Sequence, residues 1–220
     1  MLSMIRIAAE PEEYDPQEDS PVKLAVININ ILSTSLPPTH VIPPFLENFP
    51  KLAGSSNPYE RGAAMSSLGA VMEGSLEFMA PYIDELLPHV FNALQDPKTI
   101  VVRAALVALS QITDELGSDV VQHHVSMIPV VFDLLGSQDV EIMKAACNTL
   151  DSLLEWIPQD AITGYLPKLM EALLFIMTTH VDSEVKIIVV CTDPLTLKTD
   201  LLSGYRNSGA LLQGSLLSLS

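Results

Sequence analysis

Between Val101 and Leu116 the chain reads VVRAALVALSQITDEL, with apolar side chains returning every three to four positions opposite a polar face. That spacing predicts one amphipathic helix. The same stripe recurs on both sides. Ala104, Ala105, Leu109 and Ile112 repeat the pattern of Ala63, Ala64, Leu68 and Val71, and Ala145, Ala146, Leu150 and Leu153 repeat it again, at a spacing of about 41 residues each time. Three helices therefore share one register.

A fixed period of about 40 residues is the mark of stacked helix pairs, each of which buries its apolar face only against its neighbours. The pattern predicts an all-α chain, a HEAT/armadillo-like α-solenoid of antiparallel helix pairs with a period of about 41 residues. Function in such a fold is expected on a surface.

Read in order, Pro21 to Leu36 forms a helix whose Leu24, Ala25, Ile27, Ile31 and Leu32 spread over more than one face, which predicts a well-buried element. Pro37 and Pro38 end it, and Val41 to Phe49 begins a short partner. Asn57-Pro58 opens a helix that runs to Glu73 and stops at Gly74. Met79 to Leu94, Asp119 to Leu135, Asp139 to Ile157 and Tyr165 to Thr178 complete the alternation, with Pro88 and Pro129 also one period apart and Pro167 in a comparable place. After Asp182 the next inner helix, SEVKIIVV, is broken by Thr192-Asp193-Pro194. Glu10 to Asp19 carries six acids, two prolines and no base, too little apolar surface to offset the entropy of ordering. The expected plan is an acidic disordered segment over residues 1–20, about four helix pairs over 21–190, and an atypical, disordered tail over 191–220.

Composition narrows the function. Apolar residues make up 48% and aromatic residues 5%, a balance that suits aliphatic helix stacking. The net charge of -16 argues against direct nucleic-acid binding, which draws its affinity from Lys and Arg, and favours basic partners. Two cysteines, Cys147 and Cys191, make no disulfide framework and fit a reducing compartment, with Cys147 on an apolar helix face. No apolar run approaches the roughly 18 residues of a membrane-spanning helix, and the N-terminus turns acidic too soon for a signal peptide, so neither membrane insertion nor secretion is expected. His123 and His124 are adjacent and diverge by about 100° on a helix, so they cannot share a metal. With no phosphate loop, nucleophile elbow or Cys-His cluster, the reading is a binding protein without cofactor, metal or enzymatic activity.

Opposite the apolar stripe of the third repeat, Lys144, Asn148, Asp151 and Glu155 share a face. One period back these positions are Arg103, Val107, Ser110 and Asp114, and two periods back Gly62, Ser66, Gly69 and Glu73. The last member is acidic each time. Glu73, Asp114 and Glu155 are expected to stack as a ladder, joined by Asp151, and to face a basic ligand. A carboxylate in the last helical turn opposes the helix dipole, so helix stability does not explain the choice. Trp156, next to Glu155, is expected between repeats.

The segments LAVININILSTSLPPTHVIPPFLENF, ERGAAMSSLGAVMEG, VVRAALVALSQITDELG and KAACNTLDSLLEWI resemble the HEAT repeats of the importin-beta (karyopherin) superfamily, with most likeness to the importin-four type. There too an acidic segment precedes a helix ending in Leu-Pro-Pro, as EPEEYDPQEDS precedes PVKLAVININILSTSLPP here. The resemblance covers about residues 8–190 and makes the chain look like an internal stretch of a longer receptor. It implies nuclear import of basic cargo such as ribosomal proteins and histones, contact with Phe-Gly nucleoporins, release by Ran-GTP, and a location in cytoplasm, nucleus and nuclear pore. The alternative is a HEAT scaffold of another complex, of the phosphatase regulatory kind.

Overall fold

The computed structural model describes residues 1–11 and 20–179, which are helical throughout apart from short turns. The chain divides into two compact units, Met1–Trp156 and Ile157–Ser220. In the first, α1 (Leu2–Ala8), α2 (Pro21–Ser35), α3 (Pro38–Ala53), α4 (Pro58–Met72), α5 (Leu76–Met79), α6 (Ile83–Leu94), α7 (Thr99–Val120), α8 (His124–Leu135) and α9 (Val140–Trp156) follow in order. The second contains α10 (Gln159–Thr179).

Helix starts follow local chemistry. The Ser20 hydroxyl accepts from Lys23 N at 3.1 Å with Pro21 in the first turn, and Asn57 Oδ1 accepts from Tyr59 N at 3.1 Å ahead of Pro58. Asp139 Oδ1 accepts from Glu141 N and Ile142 N at 3.0 and 3.3 Å at the start of α9.

The repeat register builds the core. Helices α2, α4, α7 and α9 pack each on the next, while α3, α6 and α8 pack on α4, α7 and α9 to make helix pairs. Leu68, Leu109 and Leu150 are fully buried one period apart, as are Val71, Ile112 and Leu153. Side-chain hydroxyls tie the layer together: Ser33 Oγ donates to Ala70 O at 3.1 Å, and Thr149 Oγ1 donates to Leu106 O at 2.9 Å. Each bond gives a buried hydroxyl the partner it needs while linking adjacent repeats. Helices α4 and α7 approach closely where Gly69 lies beneath α7, since a Cβ there would fall 3.2 Å from Ala108 Cα. This is an all-α HEAT solenoid.

Several expectations need correction. The span 1–20 is not disordered throughout, because α1 packs on α2 and α4 and buries Ile5 and Ala8. Residues 12–19, which hold most of the acidic run, lie outside the described residues, as do the broken helix after Asp182 and the tail over 191–220. Helix α2 is not well buried. Leu24, Ile27 and Ile31 are 48%, 52% and 50% exposed, because only the line of Ala25, Ile29 and Ser33 is covered. Met79 to Leu94 is not one helix: α5 passes into a 3-10 turn at Ala80–Tyr82, where Pro81 removes a backbone donor, before α6 begins. Helix α3 is longer than expected and carries Pro43, Pro44 and Pro50 in its interior, held by burial of Val41, Ile42, Phe45 and Phe49. Helix α10 starts at Gln159, well before Tyr165, buries the line of Ile162, Leu169, Leu173 and Ile176, and has Pro167 inside it.

Candidate functional site

The acidic positions fall at the C-terminal parts of their helices. Glu73 follows the last residue of α4, Asp114 precedes a kink in α7 at Leu116 (φ -124°, ψ 33°), and Asp151 and Glu155 lie one turn apart near the end of α9. All four are exposed.

Three of them form one electrostatic cluster. The Asp151 carboxyl is held above the usual aspartate value, first by partial removal from water, then by the negative charges of Glu155 and Asp114. Asp114 reaches this cluster from the neighbouring helix. Glu73, one repeat back, accepts a hydrogen bond from Asn30 Nδ2 at 2.8 Å, and the same amide donates to Ala70 O at 3.2 Å. The structure thus groups Asp114, Asp151 and Glu155 and leaves Glu73 paired with a residue of α2 that the sequence pattern did not single out.

Trp156 is 43% exposed, which corrects the expectation of burial between repeats. Its indole lies against Gly117, where a Cβ would collide with the ring. Gly117 follows Asp114 by less than one helical turn, and Trp156 follows Glu155 directly in the chain.

Burial and the like charges around Asp151 oppose its ionisation in the folded chain. For Asp151 the raised value in the folded chain means that its unfavourable ionisation appears as pH rises from its unfolded to its folded value, and is absent below both. Asp151→Asn is therefore expected to stabilise the chain by a few tenths of a kcal/mol at pH 7, as removal of like-charge pairs on helices does, and not at pH 3. Urea unfolding at the two pH values checks this.

Other candidate chemistry is quiet. Cys147 is buried and its thiol is pushed up to about 12 by burial, so it behaves as an inert apolar side chain. His123 Nε2 lies 3.2 Å from Asp84 Oδ1, with its ring edge-on to Phe91. Among the described residues no group of three or more His, Cys, Asp or Glu is placed to hold a metal ion, and no helix is long and apolar enough to cross a membrane.

Residues 32–130 match the family model described as "Stalled ribosome sensor GCN1-like, HEAT repeats". The chain is 40% identical over 174 residues to the probable importin subunit beta-4 of Schizosaccharomyces pombe, an alignment that covers 79% of this chain and 16% of that protein. The chain belongs to the importin-beta (karyopherin) family. Human Importin-4 is 26% identical over 138 residues, covering 58% of this chain and 13% of its own length. This karyopherin chain thus spans about a sixth of the yeast relative. Among solved structures, the karyopherin Kap121p bound to the SUMO protease Ulp1p matches with a TM-score of 0.87 at 18% identity, covering 100% of this chain and 23% of that one. Kap121p bound to RanGTP matches with a TM-score of 0.79 at 19% identity, covering 87% and 20%. These structures share the fold.

Proposed function

We propose that this chain is a cargo-binding stretch of a nuclear transport receptor, and that a basic cargo segment lies along Glu73, Asp114, Asp151 and Glu155. The observation that carries this reading is the carboxylate cluster itself. Two neighbouring helices bring the charges of Glu155 and Asp114 to bear on Asp151, whose carboxyl is raised first by partial removal from water and then by those charges, and a cationic ligand would relieve that like-charge repulsion. Trp156 offers that ligand an aromatic face. The mechanism is binding without chemistry.

The relatives support the class of partner. Kap121p has been solved with RanGTP, Pho4p, Ste12p and Ulp1p, and also as a variant in which two aspartates and a glutamate, one repeat-like interval apart, are replaced by lysine. The corresponding proposal here is a receptor that carries basic cargo such as ribosomal proteins or histones, releases it to Ran-GTP, touches Phe-Gly nucleoporins and moves between cytoplasm and nucleus through the pore. The match of residues 32–130 to a HEAT model of a ribosome sensor favours a second reading, a scaffold that holds other proteins without cationic selectivity.

Charge reversal separates the two. The triple variant D114K/D151K/E155K is expected to bind a lysine-rich peptide at least about tenfold more weakly than the parent in fluorescence anisotropy at low salt. Unchanged affinity contradicts the receptor reading and leaves the scaffold.

A further inference from the structure

Helix α7 is not one straight rod. Leu116 leaves helical geometry at φ -124° and ψ 33°, and residues 117–120 resume the helix before a 3-10 turn at Val121–His123 leads into α8. The break divides α7 into a long first part and a short second part that turns the chain away from the row of α4, α7 and α9 toward α8.

The two parts are tied to α9 by different means. Along the first part, Thr149 Oγ1 donates to Leu106 O at 2.9 Å, and the Ser110 and Ser152 hydroxyls meet at 2.9 Å, so directional bonds fix its distance from α9. Past the break the tie is one of shape. The Trp156 indole fills the space that a side chain at Gly117 would take, so that a Cβ there would overlap Cδ1, Cδ2 and Nε1 of the ring. The rest of the ring is open to water, at 43% exposure. Gly74, the glycine that follows α4, lies instead against the backbone of Ser33 and Thr34 in α2. A backbone contact of that kind cannot be withdrawn without moving a helix, whereas a side chain turns out through χ1 and χ2 alone.

We propose that Trp156 is a retractable plug that sets the break in α7. Seated on Gly117, it holds residues 117–123, and with them the approach to α8, in the observed course. Turned outward, it leaves a notch at Gly117, and the corner is released while the first part of α7 stays bonded to α9. Withdrawal uncovers only the shielded part of the ring, since 43% of the residue already meets water. The device changes the angle between successive helix pairs at one seam of the stack.

Trp156 is the only tryptophan of the chain, so its fluorescence reports the plug alone. In the full chain, Gly117→Ala puts a methyl group in the seat. It is expected to shift the emission to the red and to raise the acrylamide quenching constant roughly twofold, as the covered part of the ring opens to water. Trp156→Ala removes the plug outright. In both variants the amides of residues 117–123 are expected to exchange with deuterium about tenfold faster, with those of residues 101–112 unchanged. A double variant separates a plug from ordinary packing. Alanine is the better helix former, so Gly117→Ala lowers the melting temperature of the parent chain and leaves unchanged or raises that of the Trp156→Ala chain. Unshifted emission in Gly117→Ala, exchange that rises evenly through α7 and α9, or an equal effect of Gly117→Ala in the two backgrounds overturns the proposal. Should Gly117→Ala alone fail to fold, the exchange patterns of Trp156→Ala and of the double variant decide.

Discussion

Arg61→Ala is expected to remove about 3 kcal/mol of unfolding free energy, the scale for breaking one side of a buried ion pair. Arg61 Nε donates to Asp96 Oδ2 at 2.7 Å, Nη2 donates to Asp96 Oδ1 at 3.0 Å, and Nη1 donates to Ser55 O at 2.8 Å. Both side chains are largely buried, so alanine leaves the Asp96 carboxylate without its guanidinium at the turn that leads into α7. That carboxylate also accepts from Lys98 N at 2.9 Å, which links the start of α4 to the start of α7. The Asp96 carboxyl is held below the usual range, first by the Arg61 hydrogen bond, against the opposing effect of burial, and further by Lys98. A depressed carboxyl stabilises the fold above its unfolded value and loses that contribution as pH falls through the folded value. The gap between parent and variant in urea unfolding is therefore wide at pH 7 and narrows below the ordinary aspartate range. Arg61→Lys, which keeps the charge and loses the two-pronged geometry, falls between them.

Leu109→Ala is expected to cost about 3 to 5 kcal/mol, the range for truncating a buried leucine and leaving a cavity. Leu109 is fully buried at the centre of α7, the helix that packs on α4, α6 and α9. Leu68→Ala and Leu150→Ala, at the same register in the neighbouring repeats, are expected to cost the same within about 1 kcal/mol. Val107→Ala, at an exposed position on the same helix, falls within about 0.5 kcal/mol of the parent. Denaturant unfolding of the four variants checks the ranking.

Those three leucines explain why so much of the fold was legible. A solenoid repeats its core at constant spacing, so an offset of one period exposes positions such as Leu68, Leu109 and Leu150 without knowledge of the contacts between them. Breaks inside helices were harder. Pro81 marks the 3-10 turn between α5 and α6, and apolar periodicity ran through it because both pieces bury the same side. For α2, Leu24, Ile27 and Ile31 carry the right spacing for burial, but periodicity states only that a face is apolar. Whether another helix covers it is a tertiary fact.

The candidate site was legible in its register and incomplete in its partners. The period placed Asp114 and Glu155 in corresponding positions, and Asp151 stands one helical turn before Glu155, where the charges of both Glu155 and Asp114 act on it. Asn30 was missed. It lies slightly more than one period before Glu73, off the common register, because the connection through α3 differs in length from the others. The contact of Trp156 with Gly117 was missed for another reason. A glycine near a helix kink reads as a weak point in sequence, and only packing shows that its missing side chain makes room for an indole.

The central claim, that crowded carboxylates on adjacent repeats exist to hold a cationic ligand, is tested most directly by the salt dependence of binding. Affinity of the chain for an octalysine peptide is measured from about 50 to 300 mM NaCl, a range over which exposed charge interactions are progressively screened, beside the variant D114N/D151N/E155N. The parent is expected to bind with an affinity that falls steeply with salt, and the variant to bind more weakly with a distinctly shallower slope. Equal slopes and equal affinities for parent and variant would contradict the claim.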